Sequence, residues 1–299
     1  MKNLIEEATK RLQQLEQAGI QVPRPSTEEP VVQRAAGHAQ ARVRRDPFIG
    51  EERPAPAAKV RVIDFARLQV NGFVTPTTAN TKLLHEFRIL KRPLIQNALG
   101  RSAGPIPNAN LIMVTSSLPG EGKSFVSLNL AMSMAMEVDC RVLLVDGDVL
   151  LPSLPRLLGV GPAKGLMDVL TTPSLSVEEV LLKTNVPRLD LLLAGAPDRS
   201  SSELLASDAM KRLLQELSSR YADRIVVFDS PPLLSTTESR TLATLMGQVV
   251  VVVEAERTTH GTLESALSTL ESCPVVMTVL NRAPQSESGS YYGSYGHGS

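Results

Sequence analysis

The alternation of apolar and polar positions changes character near residue 80. Before it, only residues 3–18 are periodic: Leu4, Ile5, Ala8, Leu12 and Leu15 fall on one stripe. Glu6 with Lys10 and Glu7 with Arg11 stand at favourable i,i+4 spacing. A short amphipathic helix is expected over residues 1–20, packed on its own domain or serving as a docking helix for another chain. Residues 22–58 carry Pro23, Pro25, Pro30, Pro47, Pro54 and Pro56 and have no period. They read as the body of a Pro-rich, mostly disordered linker over 21–79. Its basic cluster at 41–45 reads as solvated charge or as a contact for anionic lipid.

From residue 80 onward, apolar β-branched runs alternate with helical patterns. Strands are expected at 111–115, 141–145, 189–193, 225–229, 249–253 and 275–280. Helices are expected over 124–138 and 202–221, and another over 80–99 with Pro93 as an interruption or boundary. Strands that read as continuous apolar runs are buried on both faces, as in a parallel sheet. Alternating β and α then gives an α/β domain over 80–283, doubly wound on a mostly parallel sheet. Residues 284–299 form a flexible tail in this reading.

The first of these strands runs straight into SSLPGEGKS, residues 116–124. The phosphate-loop pattern is G-x-x-x-x-G-K-[ST]. Gly120, Gly122, Lys123 and Ser124 fit, and Ser117 replaces the leading glycine. Glycines let backbone N–H groups close on phosphate oxygens, a lysine bridges the β- and γ-phosphates, and the serine hydroxyl binds Mg²⁺. The helix that follows turns its positive end toward the same anion. A P-loop NTPase domain that binds ATP and Mg²⁺ is therefore expected. Its nucleotide contacts come from Ser117, Pro119, Gly120, Glu121, Gly122, Lys123, Ser124 and Phe125, with Asn281 and Arg282 near the adenine.

Two further strands end in carboxylates: VLLVDGD reaches Asp146 and Asp148, and RIVVFDSPP reaches Asp229. In a parallel sheet all strand C-termini share the ligand-binding edge. A strand-end Asp is otherwise a turn or capping residue; three beside a phosphate loop point to metal and phosphate chemistry. Asp229 suits the Walker B role. A nucleotide switch needs one such acid, whereas a kinase also needs a group that orients and deprotonates an acceptor hydroxyl. Asp146 and Asp148 are the surplus.

Composition narrows the classes. The chain has 299 residues, 42% of them hydrophobic, and 31 basic residues balance 31 acidic ones. No global charge points to nucleic acid. Cys140 and Cys273 lie in apolar stretches and read as reduced thiols. The start of the chain is not that of a signal peptide, and no apolar run approaches the ~20 residues that span a bilayer. A cytoplasmic protein is expected, recruited to the inner face of the plasma membrane by a partner. Of four tyrosines, Tyr291, Tyr292 and Tyr295 stand among Gly and Ser in the last nine residues, where no core forms, and the fourth is Tyr221. The last strand points to the phosphate-loop edge, so tail hydroxyls are expected within reach of an active site as phosphoryl acceptors.

The set SSLPGEGKS, VLLVDGD and IVVFDSPP with a terminal tyrosine cluster resembles the bacterial tyrosine kinases (BY-kinases), P-loop proteins linked to exopolysaccharide synthesis. The likeness covers roughly residues 80–299. IDFARL, HEFRILKRP, DSPPLLSTTESRTLA and GQVVVVVEAE look like the cytoplasmic form found in exosortase-associated polysaccharide clusters. The resemblance implies a tyrosine autokinase. Lys123, Asp146, Asp148 and Asp229 would be its catalytic residues, and Ser124, Asp148 and Asp229 its metal residues. It further implies a membrane-embedded chain-length regulator as activating partner and a homo-oligomeric ring through a helix in which Glu86, Arg88 and Lys91 stand near the family's positions. Leu150 and Leu151 stand where many relatives carry Arg. The rival classes are a positioning ATPase of the MinD and ParA kind, whose signature Lys would fall at Leu118, and a nucleotide-gated adaptor without kinase activity.

Overall fold

The computed structural model describes residues 60–79, 81–196 and 201–284. These lie in the compact unit Arg45–Ser299. The expected N-terminal helix, the linker up to residue 59 and the tyrosine tail lie outside the described residues.

The expected parallel sheet is present, with seven strands in the order β3-β4-β2-β5-β1-β6-β7. β1 (Leu111–Ser116), β2 (Val142–Asp146), β4 (Leu189–Leu192), β5 (Ile225–Asp229), β6 (Gln248–Glu254) and β7 (Val276–Asn281) run parallel. Only the short β3 (Leu182–Lys183) is antiparallel, on β4. β1, β2, β4 and β5 are buried at every position. That explains why β1, β2 and β5 read as apolar runs and why β4 is broken only by Asp190: both faces are covered. β7 alternates exposed and half-buried residues, as an edge strand with one solvated face does.

Two apolar layers sandwich the sheet. One joins Ile112 and Val114 to α1 (Phe65–Val70), α2 (Lys82–Ala98) and α3 (Lys123–Ala135). The other joins Leu111 and Met113 to α5 (Leu166–Thr171), α6 (Val177–Val180), α8 (Asp208–Ser219), α9 (Thr237–Ala243) and α10 (His260–Leu267). Successive residues of β1 thus serve opposite layers, the period of two that a strand imposes. Tyr221 lies in the second layer and is buried, so it is a core residue.

Four expectations are corrected. Residues 60–79 are not linker: Ile63, Leu68, Phe73 and Val74 are buried in the first layer, and Asp64 caps α1 by accepting the Arg67 amide at 3.0 Å. Pro93 does not interrupt α2. It sits on the exposed side with Ile89, so the carbonyl it leaves without a donor faces water. The helix expected over 202–221 is two, α7 (Ser201–Leu205) and α8. Ser207 breaks it, accepting the Met210 amide at 3.2 Å and donating to the Leu204 carbonyl at 2.7 Å.

The fourth correction concerns Lys91, expected at an oligomer surface. It falls on the buried stripe of α2 with Leu84, Phe87 and Leu94. Its ammonium donates to the Ser133 carbonyl at 2.6 Å and pairs with Glu137 at 2.7 Å, with its side chain 6% exposed. It therefore ties α2 to α3. Glu86 and Arg88 remain exposed, Glu86 beside Lys82 at 3.8 Å.

If residues 60–79 belong to the core, Leu68→Ala lowers the unfolding free energy by about 2–5 kcal/mol in urea denaturation. A linker residue would change it by no more than about 0.5 kcal/mol.

Candidate functional site: a phosphate cradle beside three acids

The loop between β1 and α3 is shaped by its glycines. Gly120 and Gly122 adopt φ of 89° and 96°, which disfavour side-chain-bearing residues. A Cβ at Gly122 would stand 2.1 Å from the Asn281 amide nitrogen. Asn281 comes that close because its Nδ2 donates to the Glu121 carbonyl at 2.9 Å. The buried Glu121 carboxylate accepts the Leu118 amide at 2.8 Å and the Thr258 hydroxyl. The loop is therefore braced from β7 and from the turn after β6.

These contacts locate the expected nucleotide residues. Gly120, Gly122, Lys123, Ser124 and Phe125 line one cleft of about 230 Å³, together with Phe73, Ser153, Arg156 and Leu157. Glu121 and Asn281 act behind the loop as braces. Arg282 pairs with Glu254 at 2.6 Å, and Glu254 also holds Arg257 at 3.0 Å. Ser117 is fully buried, its hydroxyl without a partner. Neither it nor Pro119 lines the cleft.

The three acids do converge. Asp146 and Asp229 are register partners on adjacent parallel strands. Neighbouring strands lie about 4.8 Å apart, and partner residues point to the same face. Both carboxylates are fully buried, and Asp148 is 4% exposed. Lys123 Nζ donates to Asp148 Oδ2 at 2.5 Å, and the Leu151 amide donates to Oδ1 at 3.2 Å. Ser153 donates to Asp229 Oδ2 at 3.4 Å, while Asp229 Oδ1 and both oxygens of Asp146 have no hydrogen bond.

The electrostatics follow from burial and crowding. Burial, then the charges of Asp229 and Asp148, push the Asp146 carboxyl up to about 8. Burial raises Asp229 also, opposed by Lys123 and the Ser124 hydroxyl. For Lys123, burial works downward, but Asp229, Asp148 and Asp146 together hold its pKa above the ordinary value. One ammonium thus faces three carboxyl groups, and Asp146, raised to about 8, keeps its proton at neutral pH.

That donor set fits a hard divalent cation. The buried oxygens without hydrogen bonds and the Ser124 hydroxyl are the ligands Mg²⁺ prefers. No three Asp, Glu, His or Cys side chains among the described residues could hold a metal by themselves. Mg²⁺ does not require that, because it takes one or two carboxylates plus phosphate oxygens and water.

Sequence reasoning missed Phe73 and Arg156. Phe73 came from the supposed linker, and its ring packs on Phe125 at 5.1 Å. Arg156 came from α4 (Leu154–Leu158), too short to show a period.

The family model for ParA, described as the NUBPL iron-transfer P-loop NTPase, matches residues 108–260. Tyrosine-protein kinase YwqD of Bacillus subtilis is 32% identical over 187 residues, 62% of this chain and 77% of the relative. The chain belongs to the bacterial tyrosine kinases of the ParA-type P-loop fold. The kinase domain of VpsO superposes with a TM-score of 0.57 at 28% identity, covering 67% of this chain and 96% of that one. EpsB of Ralstonia nicotianae is 36% identical over 166 residues, 56% of this chain, and the match spans 22% of its length. No helix among the described residues is long and apolar enough to cross a membrane.

Crowded carboxylates cost stability until a cation arrives, so Asp146→Asn is expected to stabilise the nucleotide-free protein, by roughly 2–5 °C in Tm. The pH sign is fixed by the raised carboxyl. Between the ordinary 3.8 and about 8 the folded state binds a proton that the unfolded state releases, so the wild type loses stability as pH rises. The Tm gain of the variant therefore grows from pH 5 to pH 8 in paired melting curves. A gain that shrinks over that range would contradict the crowding.

Proposed function

We propose that this protein transfers the γ-phosphoryl group of ATP to tyrosine hydroxyls, those of its own Tyr291, Tyr292 and Tyr295 among them. The observation that carries this reading is the surplus of acids. Asp146, Asp148 and Asp229 surround one phosphate-loop lysine, where a nucleotide switch needs a single metal-holding carboxylate. Relatives named as tyrosine-protein kinases support the same direction.

In this reading the loop amides and Lys123 take the β- and γ-phosphate oxygens. Lys123 first leaves Asp148, with which it pairs at 2.5 Å. Ser124, Asp148 and Asp229 would hold Mg²⁺, which when bound offsets the charge of the phosphate oxygens. Asp146 loses its proton as positive charge enters the cluster and becomes the base. The phenol oxygen forms its bond to Pγ, the bond from Pγ to the β,γ-bridging oxygen breaks, and the phenol proton passes to Asp146. ADP leaves with the electron pair of the broken bond.

The tyrosines lie outside the described residues, so their role rests on sequence and reach. Each phosphate adds about −1.5 to −2 charge, enough to expel the tail from an acid-lined site. The proposal extends to control of exopolysaccharide synthesis and export, a membrane-embedded chain-length regulator as activator, recruitment to the cytoplasmic membrane face, and self-association through Glu86 and Arg88.

Incubation with Mg-ATP and phosphosite mapping by mass spectrometry tests the activity. Phosphotyrosine is expected at the tail, none with Lys123→Met, and a rate about 10²–10⁴-fold lower with Asp146→Asn. ATP turnover with an unmodified tail would instead make this a positioning ATPase, and full activity in Lys123→Met would refute the phosphate-loop assignment.

A further inference from the structure

A second groove, of about 350 Å³, adjoins the phosphate cleft. It lies at the end of β4, the strand on the far side of β2 from the phosphate loop. Its walls include Pro152, Pro155, Pro162, Ala163 and Ala194. The β4 side is pinned: the Leu166 and Met167 amides donate to the Leu193 and Ala194 carbonyls at 2.8 and 2.9 Å. The groove is thus preformed, apolar and within the size range of concave ligand sites. Leu150 and Leu151, 52% and 74% exposed, continue this apolar surface from Asp148 to Pro152. Arg156 lines both groove and phosphate cleft. Its carbonyl accepts from Arg67 at 3.2 Å, while its guanidinium pairs with no carboxylate among the described residues.

We propose that this groove docks segment 285–299 of the same chain. The Tyr295 ring seats among the prolines, so that the hydroxyl of Tyr291 or Tyr292 is held at the acids. Arg156, between the two, faces the phosphoryl group in transit. The inference rests on the kinase reading and names its acceptor subsite. An aromatic ring gains most by leaving water, and the tail has no other large apolar side chain to bury than its tyrosines.

Reach favours this order of tyrosines. The described chain leaves β7 at the same sheet edge, four strand positions from β2 and five from β4. At about 4.8 Å per strand these are roughly 19 and 24 Å. A chain extends at most about 3.3–3.6 Å per residue, so Tyr291 reaches about 23–25 Å beyond Pro284 and Tyr295 about 36–40 Å. Tyr291 therefore spans to the acids and Tyr295 to the groove, within one chain.

The test compares Tyr295→Ala with Tyr295→Phe in the full chain, with phosphotyrosine at 291 and 292 quantified under Mg-ATP. Losing the ring should slow modification about tenfold, near what one partly buried aromatic contributes, and Tyr295→Phe should restore it. Ala163→Glu should give the same loss, and adding Tyr295→Ala to it should cost nothing more. Equal rates in the Ala and Phe variants, or losses that multiply in the double variant, would overturn the docking. A wild type that forms no phosphotyrosine would defeat the kinase reading instead. For that case, p-benzoylphenylalanine in place of Tyr295, irradiated with Mg-ADP bound, gives a readout free of catalysis. Crosslinks within one chain onto residues 152–163 support the groove; crosslinks elsewhere, only between chains, or none, overturn it.

Discussion

Asp146 and Asp229 are forced together by strand register. β2 and β5 are parallel neighbours, and the two carboxylates are partners at the last ladder position of each. Backbone hydrogen bonds and two covered faces hold the strands there, so the acids have no freedom to separate. The nucleotide-free site therefore stores electrostatic strain, which the fold offsets elsewhere with its buried strands and two apolar layers. Lys123 relieves part of it through Asp148, and a proton on Asp146 relieves more.

The other features of the site prepare for positive charge to replace that proton. Asn281 and Thr258 hold the phosphate loop through Glu121, so the cradle is fixed before any anion enters. Phe73 and Phe125 close one wall of the cleft with apolar surface, which limits water near the phosphates. The segment around α1 thus lines the phosphate cleft as well as the core.

Much of this was legible in the sequence. β1, β2, β4 and β5 were found within one or two residues because burial on both faces leaves a largely apolar run, broken in β4 only by Asp190. The three acids were found because strand ends in a parallel sheet share an edge, and the lysine because it completes the phosphate-loop motif. What escaped lacked a long period. The six-residue α1 sits between prolines and polar residues, and its apolar positions are too few to form a stripe. Lys91 could have been placed inside: its spacing from Leu84, Phe87 and Leu94 is that of one helix face. The resemblance instead sets it at a basic position of the family's ring-forming helix. Ser207 is a capping residue inside an otherwise continuous helical pattern, visible in principle but outvoted by its neighbours. Arg156 follows a Pro-rich turn, and its place between two clefts depends on tertiary packing alone.

If cation-starved carboxylates organise this site, nucleotide and metal must bind together. Isothermal titration of ADP into the wild-type protein, with and without Mg²⁺, measures that coupling directly. At least tenfold tighter binding in the presence of Mg²⁺ is predicted, a coupling of about 1.4 kcal/mol or more. Equal affinity in the two titrations would mean that Asp146, Asp148 and Asp229 do not gather a metal-bound nucleotide.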